Sequence, residues 1–98
     1  MNYKNKELRG MVLKVIHKSY PDKVGDYVIC EVLEDAGYNI NPPELKSHLD
    51  YLEGNGYIET SIIENRDLNI TRIVAKMTPQ GINLMEGNIP DDPGIEVV

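Results

Sequence analysis

Few side chains in this sequence have the types and spacing that catalysis or metal binding requires. Glu44 and His48 are four residues apart, so on a helix they would share one face and could hold a metal ion together. Two ligands are too few for a zinc site, and no third ligand is near in sequence. The acidic pairs Glu34-Asp35 and Asp91-Asp92 are adjacent in the chain, so they do not converge on one point as catalytic carboxylates must.

The remaining reactive side chains have simpler interpretations. Cys30 is the only cysteine, so no disulfide can form within the chain, and we interpret it as a small buried apolar residue. His17 lies on the polar side of a predicted helix, where a solvated side chain is expected. The sequence has no glycine-rich phosphate loop. The prediction is therefore a protein that is not an enzyme and has no metal or cofactor.

Length and composition indicate an ordinary globular protein. The chain has 98 residues, 41% of them hydrophobic and 27% charged, which favours one domain with a modest core. No apolar run reaches the roughly 18 residues of a membrane span. The first residues lack the apolar segment of a signal peptide, so we expect a cytoplasmic location and no membrane partner.

The charge is unevenly distributed along the chain. The net charge is −6, yet residues 1–25 hold six basic and only two acidic side chains. The rest of the chain holds four basic and fourteen acidic ones. A surface that binds phosphates needs local positive charge even in an acidic protein, so this basic first segment is relevant to any nucleic-acid partner.

Periodicity and capping residues predict three helices before residue 57. The first helix is predicted from an apolar stripe at helical spacing, namely Leu8, Met11, Val12, Val15 and Ile16, and Tyr20-Pro21 should end it. A second helix is predicted over 26–36. A third begins with Asn41 as cap and Pro42 in the first turn, buries Leu45, Leu49 and Leu52, and ends at Gly54-Asn55-Gly56.

The second half of the chain changes period. Side chains alternate from Tyr57 to Ile62, and a second strand is predicted over 70–77, joined by a polar turn at 64–67 to form a hairpin. Thr78-Pro79 should begin a fourth helix that ends at Gly87. Residues 1–87 therefore form the predicted domain. Residues 88–98, rich in proline and acids, are predicted to be an acidic, flexible or loosely docked tail.

The segment VICEVLEDAGYNINPPELKSHLDYLEGNGYIE, with MTPQGINLMEG after the hairpin, resembles small prokaryotic winged helix-turn-helix proteins, including MarR-like and PadR-like regulators. The resemblance covers about residues 8–87 and does not single out one family. It implies an α+β, mostly α fold: a three-helix core, a two-stranded β-hairpin wing and a C-terminal helix. In such proteins the third helix enters a major groove of DNA and the wing contacts the backbone or the minor groove.

The resemblance implies a double-stranded DNA partner and a role in transcription regulation. The candidate DNA-binding residues lie on the outer face of the third helix and on the wing: Pro43, Lys46, Ser47, Asp50, Tyr51, Arg66, Arg72 and Lys76. His48 is expected at the edge of that face. The main objection is electrostatic, because acidic residues surround Lys46 and Arg66 and this face neutralises few phosphates.

Dimerisation is expected through the two terminal helices, as is common in winged-helix regulators. The candidate contacts are apolar side chains of the first and fourth helices: Leu8, Met11, Val15, Ile82 and Met85. Gly10 would let a second helix approach closely. The alternative is a monomer in which the first and fourth helices pack only on their own domain. The alternative function is a winged-helix module that binds another protein and not DNA.

Overall fold

The computed structural model describes residues 3–97. The chain forms α1 (Tyr3–Ser19), β1 (Val24–Gly25), α2 (Asp26–Asp35), α3 (Pro42–Gly54), β2 (Ile58–Asn65), β3 (Ile70–Met77) and α4 (Pro79–Met85). The order of helices and hairpin is the one expected from the sequence. None of the helices within the described residues has the length and apolar content needed to cross a membrane.

The local signals at the helix ends are confirmed. The Asn41 side chain accepts the backbone N–H of Glu44 at 2.9 Å, and Thr78 accepts that of Gly81 at 3.1 Å. Each cap is followed by a proline in the first helical turn, where a missing amide hydrogen costs nothing. The Thr78 hydroxyl also donates to the carbonyl of Gly56 at 2.6 Å, which ties the start of α4 to the turn between α3 and β2.

The sheet is antiparallel and has three strands in the order β1-β3-β2. β2 and β3 pair along their whole length, from Ile58 opposite Met77 to Asn65 opposite Ile70. The sequence did not predict β1, because two residues are too few to show a period. The buried side chains of the hairpin lie at the end nearest the helices, whereas the outer half of β2 and the turn that follows it are exposed. The wing therefore projects from an anchored base.

The core is centred on α1. Its fully buried side chains include Leu13, which the predicted apolar stripe had left out, besides Leu8, Val12 and Ile16. The predicted face of α3 is confirmed, since Leu45, Leu49 and Leu52 are all buried. Side chains from the other elements complete the same cluster: Ile29, Leu33, Ile58, Ala75, Met77 and Leu84.

The C-terminal segment differs from the predicted loose tail, because the structure packs it against the domain. Ile95 is buried with only 4% of its surface exposed. The Glu96 N–H donates to the carbonyl of Lys6 at 3.1 Å, and Arg9 donates to the carbonyl of Gly94 at 3.2 Å. We call residues 91–97 the docked tail. The composition of this segment is acidic and rich in proline. It does not reveal that Ile95 is buried or that the tail is hydrogen-bonded to α1.

Gly10 has a different role from the one expected. The close approach at this residue is made by the docked tail of the same chain and not by a second helix. A side-chain carbon built on Gly10 would collide with the backbone carbonyl of Glu96. The missing side chain therefore admits the tail onto α1.

Candidate nucleic-acid interface

The outer face of α3 is open to solvent. Because the three leucines of α3 face the core, Pro43, Lys46, Ser47 and Asp50 lie on the opposite side, and all four are exposed. The asparagine cap and the two prolines fix where this helix begins. Four of the predicted DNA-binding residues therefore share one accessible surface.

The polar groups on this face already bond to one another. The Lys46 ammonium lies 3.0 Å from the carboxylate of Asp50, one turn along the helix. The Ser47 hydroxyl donates to the carbonyl of Glu44 at 2.7 Å. Exposed ion pairs of this kind contribute at most about 1 kcal/mol, so Lys46 can exchange Asp50 for a phosphate, but the helix carries no other cation.

Tyr51 does not face the same surface as the other four residues. Its hydroxyl donates to a carboxylate oxygen of Asp92 at 2.9 Å, and the Arg9 guanidinium lies 4.1 Å from the centre of its ring. Tyr57 donates to the second oxygen of Asp92, also at 2.9 Å. Tyr51 therefore binds the docked tail. Its position does not support the prediction that it contacts DNA.

The Asp92 carboxylate is stabilised in its charged form. Burial alone would raise its pKa, but the backbone N–H of Gly94 and the two tyrosine hydroxyls outweigh burial and lower it. The same arrangement, with burial as the larger cause and the bond to Asp92 as the second, raises the pKa of Tyr57 to about 12. Near neutral pH the two tyrosines are therefore donors to a carboxylate anion.

His48 is buried, whereas the sequence placed it at the edge of the exposed face. Only 2% of its surface is exposed, and neither ring nitrogen has a hydrogen-bond partner among the described residues. Burial is the main reason that its pKa is lowered; the nearby charge of Arg9 adds to this and Glu44 opposes it. The ring is neutral in the fold at pH 7, and it is unavailable as a metal ligand with Glu44.

The lowered pKa of His48 predicts how stability depends on pH. Since the unfolded histidine binds a proton below about pH 6.5 and the folded one resists it, the stability is full above that pH and is lost as the pH falls. We expect the free energy of unfolding to fall between pH 7.5 and 5.5, by at most about 1.4 kcal/mol, which is the limit for one histidine that takes up its proton only in the unfolded chain. Urea denaturation at a series of pH values measures this.

The variant His48→Leu should remove most of that pH dependence. It should also leave stability at pH 7.5 unchanged or higher, because it replaces two unsatisfied polar atoms with apolar ones of similar volume. His17→Gln, at the other histidine of the chain, is the control and should keep the dependence. The same slope in wild type and His48→Leu would contradict a role for His48.

The three basic residues of the wing have different surroundings. Arg66 is exposed in the turn between β2 and β3, close in sequence to Glu64 and Asp67. Arg72 is turned back toward α2, with its guanidinium 5.2 Å from the centre of the Tyr27 ring. Lys76 is half-buried on β3. Arg66 is therefore the most accessible of the three for contact with a nucleic acid.

The outer wing carries large apolar side chains that the sequence prediction overlooked. Ile62, Ile63 and Leu68 are 68%, 55% and 65% exposed. Ile62 and Ile63 are neighbours in a strand, so they point to opposite faces of the hairpin. The pair of isoleucines in SIIEN was the available signal, because two adjacent strand residues cannot both face one core. The wing therefore presents apolar surface beside Arg66.

The residues predicted to form a dimer interface are only partly available. Leu8 is fully buried in the core of its own domain, so it cannot contact a partner in this structure. Met11, Val15, Ile82 and Met85 are half-buried. Because α1 and α4 contact each other, these four side chains belong to two adjoining helices.

Comparison with solved structures identifies the fold. A transcriptional regulator from Clostridium thermocellum superposes with a TM-score of 0.62 at 23% sequence identity, covering 83% of this chain and 75% of the other. A PadR family transcription regulator from Clostridium difficile gives a TM-score of 0.66 at 12% identity, covering 83% and 81%. A PadR family regulator from Eggerthella lenta gives 0.62 at 19% identity, covering 83% and 71%.

The chain is a winged helix-turn-helix protein. No family model matches its sequence, and no curated protein matches it. At these identities the superpositions establish the winged-helix fold alone. Within the winged-helix domain, α3 occupies the position of the recognition helix and the β2–β3 hairpin that of the wing. Among residues 3–97 no three histidine, cysteine or acidic side chains come together to form a metal site.

Proposed function

We propose that this winged-helix protein is a DNA-binding transcriptional regulator that acts as a homodimer. The observation that carries the proposal is a surface groove bounded by α2, α3 and β3, in which α3 and the wing meet. Lys46 of α3 and Arg72 of β3 both line that groove. These are the two elements that winged-helix proteins place on DNA. The transcriptional regulators with the same fold add support.

The proposed DNA contacts are mainly to phosphates. Lys46, Arg66 and Arg72 supply positive charge, and Ser47 supplies a hydroxyl. Asp50 competes with DNA for Lys46 because the two side chains form an ion pair. With so few cations, one domain binds weakly, and a homodimer gains affinity by placing two α3 helices in successive major grooves. Met11, Val15, Ile82 and Met85 are the proposed dimer contacts, since α1 and α4 adjoin.

Titration of a labelled duplex pool at low salt tests this function. We expect binding in the micromolar range or tighter, with a steep loss as salt is added. Arg66→Ala or Lys46→Ala should each lower the magnitude of the salt slope by about two, one for each chain of the dimer, without changing stability. Light scattering of the complex should give two chains of 11.1 kDa per bound duplex.

A substitution that is expected to strengthen DNA binding provides a more specific test of the proposed contacts. Asp50→Asn releases Lys46 from its ion pair and removes one negative charge from the face, so we expect it to strengthen binding. Glu86→Gln changes the net charge equally on an exposed residue next to α4 and is the control, with little effect expected. A folded protein that binds no duplex at micromolar concentration would contradict the proposal.

The second candidate function is binding of another protein through the wing. The exposed Ile62, Ile63 and Leu68 favour it, because they give both faces of the wing a large apolar side chain that a partner protein can cover. Absence of DNA binding in the titration would move the proposal to this alternative.

A further inference from the structure

A groove with a volume of about 430 Å³ lies between α2, α3 and β3. This is within the range of about 300–1,000 Å³ found for small-molecule sites. Its walls are mainly apolar: Leu45 and Leu49 are buried, while Cys30 and Ile73 are half-buried. The groove can therefore cover the apolar body of a small ligand.

The rim of the groove is acidic. Asp26, Glu31 and Glu34 line it, and none of these carboxylates forms a salt bridge among the described residues. The lysine of the groove, Lys46, is paired with Asp50 outside it. Three carboxylates without ion pairs beside an apolar wall favour a ligand with positive charge.

An organic cation of the protein itself already occupies part of the groove. The guanidinium of Arg72 lies 5.2 Å from the centre of the Tyr27 ring, within the range of a cation–π contact. Both residues line the groove, and Tyr27 remains 58% exposed. A second cation can therefore reach this ring or replace Arg72 on it.

The Cys30 thiol in the wall of the groove is affected by the acidic residues around it. Burial, followed by the negative charges of Asp26 and Glu34, raises the pKa of the Cys30 thiol. The thiol is thus neutral at pH 7 and adds to the apolar wall.

We propose that this groove binds a small organic cation, namely an ammonium group attached to an aromatic or aliphatic body. The apolar body lies against Leu45, Leu49 and Ile73. The ammonium group lies at Glu31 and Glu34, near the exposed Tyr27 side chain.

Occupation of the groove would also affect DNA binding, and this consequence rests on the proposed function. The ligand neutralises carboxylates beside α3 and competes with Arg72 for Tyr27, so it frees a cation for phosphate contact. Both effects should raise the affinity for DNA. The ligand would therefore act as an activator of binding.

Calorimetric titration with three probes that share a naphthalene body tests the site without DNA. The probes are 2-naphthylmethylammonium, the uncharged 2-naphthalenemethanol and the anionic 2-naphthaleneacetate. We expect the ammonium probe to bind at least about tenfold more tightly than the alcohol, and the acetate to show no binding. Equal affinities for the ammonium and the alcohol, or no binding of the ammonium probe at millimolar concentration, would overturn the proposal.

Two double variants with the same change in net charge locate the site. Glu31→Gln with Glu34→Gln should remove the preference of about tenfold for the ammonium probe. Glu59→Gln with Glu86→Gln, on exposed residues outside the groove, should retain it. Loss of the preference in both double variants would mean that net charge and not the groove selects the cation, which would refute the site.

Circular dichroism of both variants verifies that they are folded. Because no probe titration contains DNA, failure here leaves the duplex titration to decide the proposed function separately.

Discussion

Replacing Leu49 by alanine is expected to lower the free energy of unfolding by about 2–5 kcal/mol. Leu49 is in the middle of α3, with 2% of its surface exposed. α3 packs on both α1 and α2, so the truncated side chain leaves a cavity that neighbouring helices can fill only in part. Urea denaturation followed by circular dichroism measures the loss.

Ser47→Ala is the matched control, because Ser47 is on the opposite, exposed face of the same helix. A surface substitution of this kind should change the free energy of unfolding by less than about 0.5 kcal/mol. If Leu49→Ala also cost less than this, the placement of the leucine face of α3 in the core would be wrong.

The sequence predicted α3 well because its determinants are local. A cap, two prolines, three leucines at helical spacing and a glycine-containing end all lie within residues 41–56. Each acts on its near neighbours, so no knowledge of the rest of the chain is needed. The same holds for the Thr78-Pro79 start of α4, which the structure confirms.

Contacts between distant parts of the chain could not be predicted in this way. Arg9 and Gly94 are 85 residues apart in sequence, and Tyr51 and Asp92 are 41 apart. Periodicity does not reveal which tyrosine a distant carboxylate will engage. The sequence pattern therefore predicts Tyr51 on the DNA-binding face and residues 88–98 as a flexible or loosely docked tail.

The candidate site is predictable only in part for a related reason. The sequence places Lys46 and Arg72 on the third helix and the wing, and the structure agrees. It does not show that Lys46 pairs with Asp50 or that Arg72 lies over Tyr27. Side-chain partners decide whether a cation is ready to bind phosphate, and they depend on packing that the sequence pattern does not contain.

Removal of residues 88–98 is expected to lower the free energy of unfolding by about 1–3 kcal/mol. Burial of one isoleucine side chain contributes about 1.5–3 kcal/mol, and each bond from Tyr51 and Tyr57 to Asp92 adds about 1 kcal/mol. The conformational entropy lost when the tail docks offsets part of this gain. Urea denaturation of the full chain and of the chain ending at Gly87 gives the difference. Equal stabilities would contradict a docked tail.

The effect of Gly10→Ala should depend on whether the tail is present. The shortened chain lacks Glu96, whose backbone makes the closest contacts with a side-chain carbon built on Gly10. Alanine should therefore raise the free energy of unfolding of that chain by about 1 kcal/mol through its higher helix propensity. In the full chain the new methyl group collides with the carbonyl of Glu96, so the tail must detach. The full chain then loses the tail's contribution of about 1–3 kcal/mol while it gains the same helix propensity from alanine. The effect of Gly10→Ala on the free energy of unfolding should therefore differ between the full and the shortened chain by about the stabilisation that the docked tail provides. If the tail is loose in solution, as its composition led us to expect, alanine stabilises both chains equally.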